Sequence, residues 1–286
     1  MQQLLRRAVQ VYQNEGLAPT ITKSTRFVPR YLRHVIGTKG LYGSPQYRNL
    51  LCWWNARPYS VDNPFTIVCV DPDEIIHVTG RGPNPGRFQW QDLGTVQGGD
   101  WDQSDDRFED LPVVGALRDH FEDNTEWEDV EFVQHVIDQA KRGHVIWRGC
   151  TSKKDVWDAC DHIDRLYERI QNQGYRTKQE LVQQDGLSPD KYVGGDRFNC
   201  YDEVVVDVGR DGQSLFVDGR HRLTIAKILK LDEIPVRISA RHEQWQQIRE
   251  LAARTETGDQ LPISVKKHRD HPDLKAVFKE NQNERI

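Results

Sequence analysis

Two runs of β-forming residues, joined by a short turn and followed at once by a helical pattern, constrain this chain more than anything else in it. Val204, Val206 and Val208 alternate in the first run, and Gly209-Arg210-Asp211-Gly212 is a hairpin signal. Leu215-Phe216-Val217 then reads as a buried strand, broken by Asp218-Gly219. Leu223, Ala226 and either Leu229 or Lys230 follow on one helical face.

Gly219, Arg220, His221 and Arg222 stand between the end of that strand and the start of the helix. The first helical turn offers N–H groups without intrahelical acceptors and the positive end of the dipole. A glycine there lets a ligand approach the backbone, and three cationic or imidazole side chains favour an anion such as phosphate. The alternative is an ordinary strand-turn-helix whose arginines cap neighbouring carboxylates.

The segment from Asp164 to Ile238 resembles the ParB/sulfiredoxin superfamily. The resemblance is carried by Leu166 to Gly174 as a helix ending in a glycine turn and by Glu203 to Val208 as a strand. Leu215 to Arg222 follows as a strand with a G-x-x-R loop, and Ile234-Pro235-Val236-Arg237-Ile238 as the last strand. It implies an α+β core, a mixed β-sheet with flanking helices. Sulfiredoxins carry a cysteine after the glycine, where this chain has Arg220, so their thiol chemistry is set aside. ParB proteins carry an acid followed by paired arginines there and bind CTP. This chain has Arg-His-Arg, and no helix-turn-helix is evident after the domain. Other members are kinases for small metabolites that hold nucleotide phosphates on the same loop.

The resemblance thus implies a nucleotide site at Gly219, Arg220, His221 and Arg222, taking ATP or CTP (or ADP) with Mg2+. His221 would orient the phosphate or polarise an oxygen. The acceptor would be a small-molecule or glycan-like substrate. A phosphotransferase also needs a base near the acceptor hydroxyl. Asp218 is placed to be that base or a metal ligand, or else the helix N-cap.

Charge is unevenly spread. Residues 1–50 hold eight Lys/Arg against one acid, Glu15, whereas the remainder holds 31 basic against 43 acidic residues. Residues 1–40 read as a basic, amphipathic, helical N-terminal arm. Arg6, Arg7, Lys23, Arg26, Arg30 and Arg33 alternate with Leu4, Val9, Phe27, Tyr31 and Ile36. Such an arm suits an anionic membrane surface, a nucleic-acid backbone, or the body of the protein itself. The core domain is expected over 41–245 and a C-terminal helix and charged tail over 246–286; a helix after Ile238 is expected to carry Trp245, Ile248 and Leu251, and the tail from Lys266 to be frayed.

Thirteen acids crowd residues 99–131. Within Gly98-Gly99-Asp100-Trp101-Asp102, the carboxylates Asp100 and Asp102 either hold Mg2+ beside a nucleotide or belong to a solvated surface. Helices are expected over Pro112–Phe121, around Val130–Ala140 with Gly143 as stop, and from a Ser152/Asp155 capping box to Gly174. Cys52-Trp53-Trp54 is expected under a loop. The five cysteines are widely spaced with no C-x-x-C, which gives reduced, mostly buried thiols rather than a disulfide framework or zinc site. No apolar run of membrane-spanning length or signal-peptide pattern occurs, so a location in the cytoplasm or at the periphery of the membrane is expected. Three readings follow: a nucleotide-dependent phosphotransferase or hydrolase, a partition-type nucleotide- or DNA-binding module, and a non-catalytic anion binder.

Overall fold

The computed structural model describes residues 54, 67–81, 92–177, 180–181, 203–255 and 261–283, all within the compact unit Cys52–Ile286. The N-terminal arm, Cys52 and Cys200 lie outside the described residues. The fold is α+β: a mixed five-stranded sheet flanked by helices.

The strands are β1 (Ile67–Val70), β2 (Thr95–Gln97), β3 (Val204–Val208), β4 (Ser214–Asp218) and β5 (Ile234–His242). The sheet order is β1-β5-β3-β4, with β2 also pairing β5. β3 and β4 form the expected antiparallel hairpin, with Gly212 at φ 87° and its N–H donating to the Gly209 carbonyl. β5 runs parallel to β3 and β2 but antiparallel to β1. His77 and Val78 contribute only isolated bridges, one of them Val78 to Phe216 of β4.

The helices are α1 (Pro112–Phe121), α2 (Glu131–Lys141), α3 (Lys153–Gln173), α4 (Arg220–Ile228), α5 (Glu243–Arg254), α6 (Ile263–Lys267) and α7 (Pro272–Asn283). The Ser152 side chain accepts from the Asp155 N–H at the start of α3, and Gly174, at φ 77°, closes it. α3 buries the stripe its periodicity sets out: Val156, Ala159, Cys160, Ile163 and Ile170.

Two apolar clusters result. One joins the sheet to α4 and the C-terminal helices through Val204, Val206, Phe216, Leu223, Trp245 and Leu274. The other joins α1, α2 and α3 through Leu117, Val133, Val136, Val156 and Ile163, and receives Ile225 of α4. Because α4 contributes Leu223 and Ala226 to the first cluster and Ile225 to the second, its start is fixed from two sides.

Three expectations change. The segment from Lys266 is packed, not frayed, through α7: Leu274 and Val277 are buried, and Asp273 is fully enclosed. Trp54 is 66% exposed and Cys69 is also exposed, while Cys150 and Cys160 are buried as expected. On α5 the buried residues are Trp245, Gln246, Arg249 and Ala252, and Leu251 faces solvent. The polar Gln246 and Arg249 take positions that hydrophobicity alone assigns elsewhere.

Candidate anion site at the start of α4

β4 ends at Asp218, and Gly219 turns the chain at φ 93°, ψ 27°. A Cβ at this glycine would lie 2.9 Å from the Val204 Cα, so both the conformation and the space require glycine. The Asp218 carboxylate accepts from the Gly219 N–H at 2.7 Å. It fixes the turn, while the N-cap position falls to Gly219, which supplies no side chain. The first N–H groups of α4 therefore have no side-chain cap, and helix geometry gives them no acceptor within the helix.

His221 is half-buried beside this opening. Trp147 donates its indole N–H to His221 Nε2 at 3.3 Å, so the imidazole proton of the neutral ring sits on Nδ1. Burial pushes the His221 pKa down to about 3, and the positive charges of Arg148, Arg220 and His162 push in the same direction. The ring is neutral at physiological pH and offers one N–H donor.

Arg148 lies on the loop between α2 and α3, at φ 46°, followed by Gly149 at φ 78°. Its side chain reaches solvent yet is closely flanked by protein, and this partial desolvation holds its pKa below the usual arginine value, with Cys150 opposing. Among the described residues, neither Arg148 nor Arg220 forms an ion pair with a carboxylate. Two arginines thus stand beside a neutral imidazole and an uncapped helix start, with no carboxylate ion pair to either among the described residues.

Arg222 takes a different direction from the one expected. Its guanidinium donates to Glu203 at 2.7 Å and to the Arg176 carbonyl, and it lies over the Tyr175 ring at 4.3 Å. Both Arg222 and Glu203 are buried. The residue braces the junction of α3, β3 and α4, in the manner of the alternative stated above for the loop arginines.

Asp100 and Asp102 are placed far from this loop. Arg210, in the β3–β4 turn, donates its backbone N–H to Asp102 at 2.8 Å and its Nε at 2.9 Å, and reaches Asp100 with its terminal nitrogen at 2.8 Å. Asp102 is buried, whereas the Asp100 side chain is largely solvated. The turn lies at the opposite end of β4 from Gly219, and five residues of strand separate the two by about 17 Å. The two carboxylates and the Gly219–Arg222 loop are not brought together, and among the described residues no group of three or more His, Cys, Asp or Glu is arranged for a metal ion. Of the three carboxylates singled out from the sequence, Asp218 alone is at the α4 end of the sheet.

Sequence reasoning missed Trp147, Arg148 and His162. The signal was faint: an aromatic-arginine-glycine run, Trp147-Arg148-Gly149, in the gap between two helices. No family model, curated protein or solved structure matches this chain.

Proposed function

We propose that this protein binds a nucleotide by its phosphates at the start of α4 and acts as a nucleotide-dependent phosphotransferase or hydrolase of ParB/sulfiredoxin type. The reading rests on the resemblance over Asp164–Ile238. The observation that carries it is the pair Arg148 and Arg220, without carboxylate partners among the described residues, flanking neutral His221 at an uncapped helix N-terminus. In this reading the phosphate oxygens take the first backbone N–H groups of α4, and Arg220 and Arg148 neutralise the charge. The Nδ1–H of His221 donates to a phosphate oxygen, which fits the orienting role rather than general-base work through Nε2. Asp218 serves as base or Mg2+ contact, and Mg2+ arrives with the nucleotide.

Titration calorimetry of ATP, ADP, CTP and GTP, with and without Mg2+, tests the reading. A charge-assisted hydrogen bond contributes roughly 1.5–3 kcal/mol, so Arg220→Ala or Arg148→Ala weakens the preferred nucleotide by about 10- to 150-fold. Unchanged affinity in both variants refutes the phosphate site. Binding without release of phosphate or transfer to an acceptor leaves a non-catalytic anion binder.

A further inference from the structure

We propose that the loop joining α2 to α3 docks on an anionic lipid bilayer, with Val145 and Ile146 as an inserted tip and basic side chains around them facing the headgroups. Val145 is 46% and Ile146 is 49% exposed. Among the described residues they are the only exposed large hydrophobic residues adjacent in sequence; Trp54, Ile76, Leu251 and Ile263 occur singly. Single exposed apolar residues are ordinary, whereas a paired tip is not.

The charge around the tip is the second observation. From Lys141 to Lys154 the chain holds Lys141, Arg142, Arg148, Lys153 and Lys154 and no acid. It does so within a body, residues 51–286, where acids outnumber bases 43 to 31. Arg142 pairs with Asp138 at 2.7 Å and Lys154 with Asp158 at 2.6 Å, both pairs solvent-exposed. Such pairs hold their charges weakly. Among the described residues Lys141 has no carboxylate partner, and Lys153 lies over the Trp157 ring at 5.6 Å. Turns stand on both sides of the pair: the N–H of Gly143, at φ 81°, donates to the Ala140 carbonyl, and that of Cys150 to the Trp147 carbonyl.

Aliphatic insertion combined with flanking cations is the recognition chemistry of an anionic bilayer. A protein partner is a poorer fit, because two side chains on a narrow turn fall far short of the roughly 800 Å² per partner of a stable interface. A nucleic acid gains nothing from exposed aliphatics. The stacking partner it would need is absent from the tip, since Trp147 is buried.

The test uses the full chain, sedimented with vesicles of phosphatidylglycerol and phosphatidylcholine or of phosphatidylcholine alone, at low and high salt. Binding is expected to the anionic vesicles only and to weaken with salt. Val145→Ser/Ile146→Ser and Lys141→Glu/Lys153→Glu should each lower partitioning on the order of tenfold, and Ile146→Trp should raise it. All these residues are outside the proposed phosphate site, so nucleotide affinity should not change and the two readings fail separately. The loop variants leave residues 1–40 intact. Equal partitioning of parent and loop variants therefore assigns any binding to another segment and overturns the proposal. Equal binding to neutral vesicles overturns it too, as does loop-dependent dimerisation or duplex binding without vesicle binding.

Discussion

Arg241 and Asp273 are joined by a two-pronged ion pair sealed inside the protein. Nε and a terminal nitrogen of the arginine meet the two carboxylate oxygens at 2.9 and 2.7 Å, with side chains only 3% and 1% exposed. Arg249 adds a contact at 3.1 Å and the Trp245 indole donates at 2.9 Å. The two arginines hold the Asp273 carboxyl well below the usual carboxylate range, overcoming its burial. Asp273→Asn takes from buried Arg241 the charge of its two-pronged partner and should cost on the order of 3–5 kcal/mol. Because the folded pKa is depressed, this contribution is fully present above the unfolded value of about 4 and is lost as pH falls below it. Urea denaturation from neutral to acid pH should show the parent losing stability below about pH 4, and the variant starting lower and falling less.

Arg222 separates architecture from binding. Its removal takes the 2.7 Å guanidinium contact away from Glu203, whose side chain is 1% exposed. Arg222→Ala should therefore lower stability by about 3–5 kcal/mol. Arg222→Met/Glu203→Leu should recover much of that loss, since an apolar pair avoids the desolvation cost. Thermal melts of the single and double variants decide. A binding defect in Arg222→Ala at full stability would return the residue to the phosphate.

Gly219→Ala places a β-carbon against the Val204 backbone at positive φ. The strain should cost about 1–3 kcal/mol. It should also weaken nucleotide binding more than stability, because the turn sets the direction of the first α4 N–H groups. Chemical denaturation and calorimetry on the same preparation would compare the two losses.

His221 should give a titration signature. Its folded pKa, about 3, lies below the unfolded value near 6.5. Between those values the unfolded chain binds the extra proton, so stability falls as pH drops from about 6.5 toward 3, by on the order of 1 kcal/mol per pH unit. His221→Gln should remove that slope while leaving stability near pH 8 little changed. An identical slope in parent and variant would mean that the ring is protonated in the folded state.

The legible parts of the fold were those whose causes are local. Ser152, Asp155 and Gly174 delimit α3 because capping and chain reversal act within one turn. Gly209 and Gly212 announced the β3–β4 hairpin for the same reason. The illegible parts depended on partners far along the chain. Arg222 looked free because Glu203 is nineteen residues back and across a strand. Asp102 looked like surface or metal ligand because Arg210, which encloses it, is 108 residues on. α7 looked frayed because its charges are visible in sequence, while the buried pairing of Asp273 with Arg241 and Arg249 is not. Within the candidate site, Gly219, Arg220 and His221 could be read from their strand-to-helix context. Trp147 and Arg148 could not, since nothing local says which helix start their loop approaches.

The position of β5 in the sheet governs when this protein can fold. It is the shared neighbour of β1, β2 and β3, yet it begins only at Ile234. On the ribosome, β1 and β2 have no strand to pair with, and their backbone groups stay hydrogen-bonded to water, until β5 has emerged. Arg241 and Arg249 then wait further for Asp273. The sheet cannot build up strand by strand from the N-terminal side; it closes late, as one event, over long loops. The nascent chain thus passes through a stage with open strand edges, the kind of surface on which chains associate with one another before they are folded.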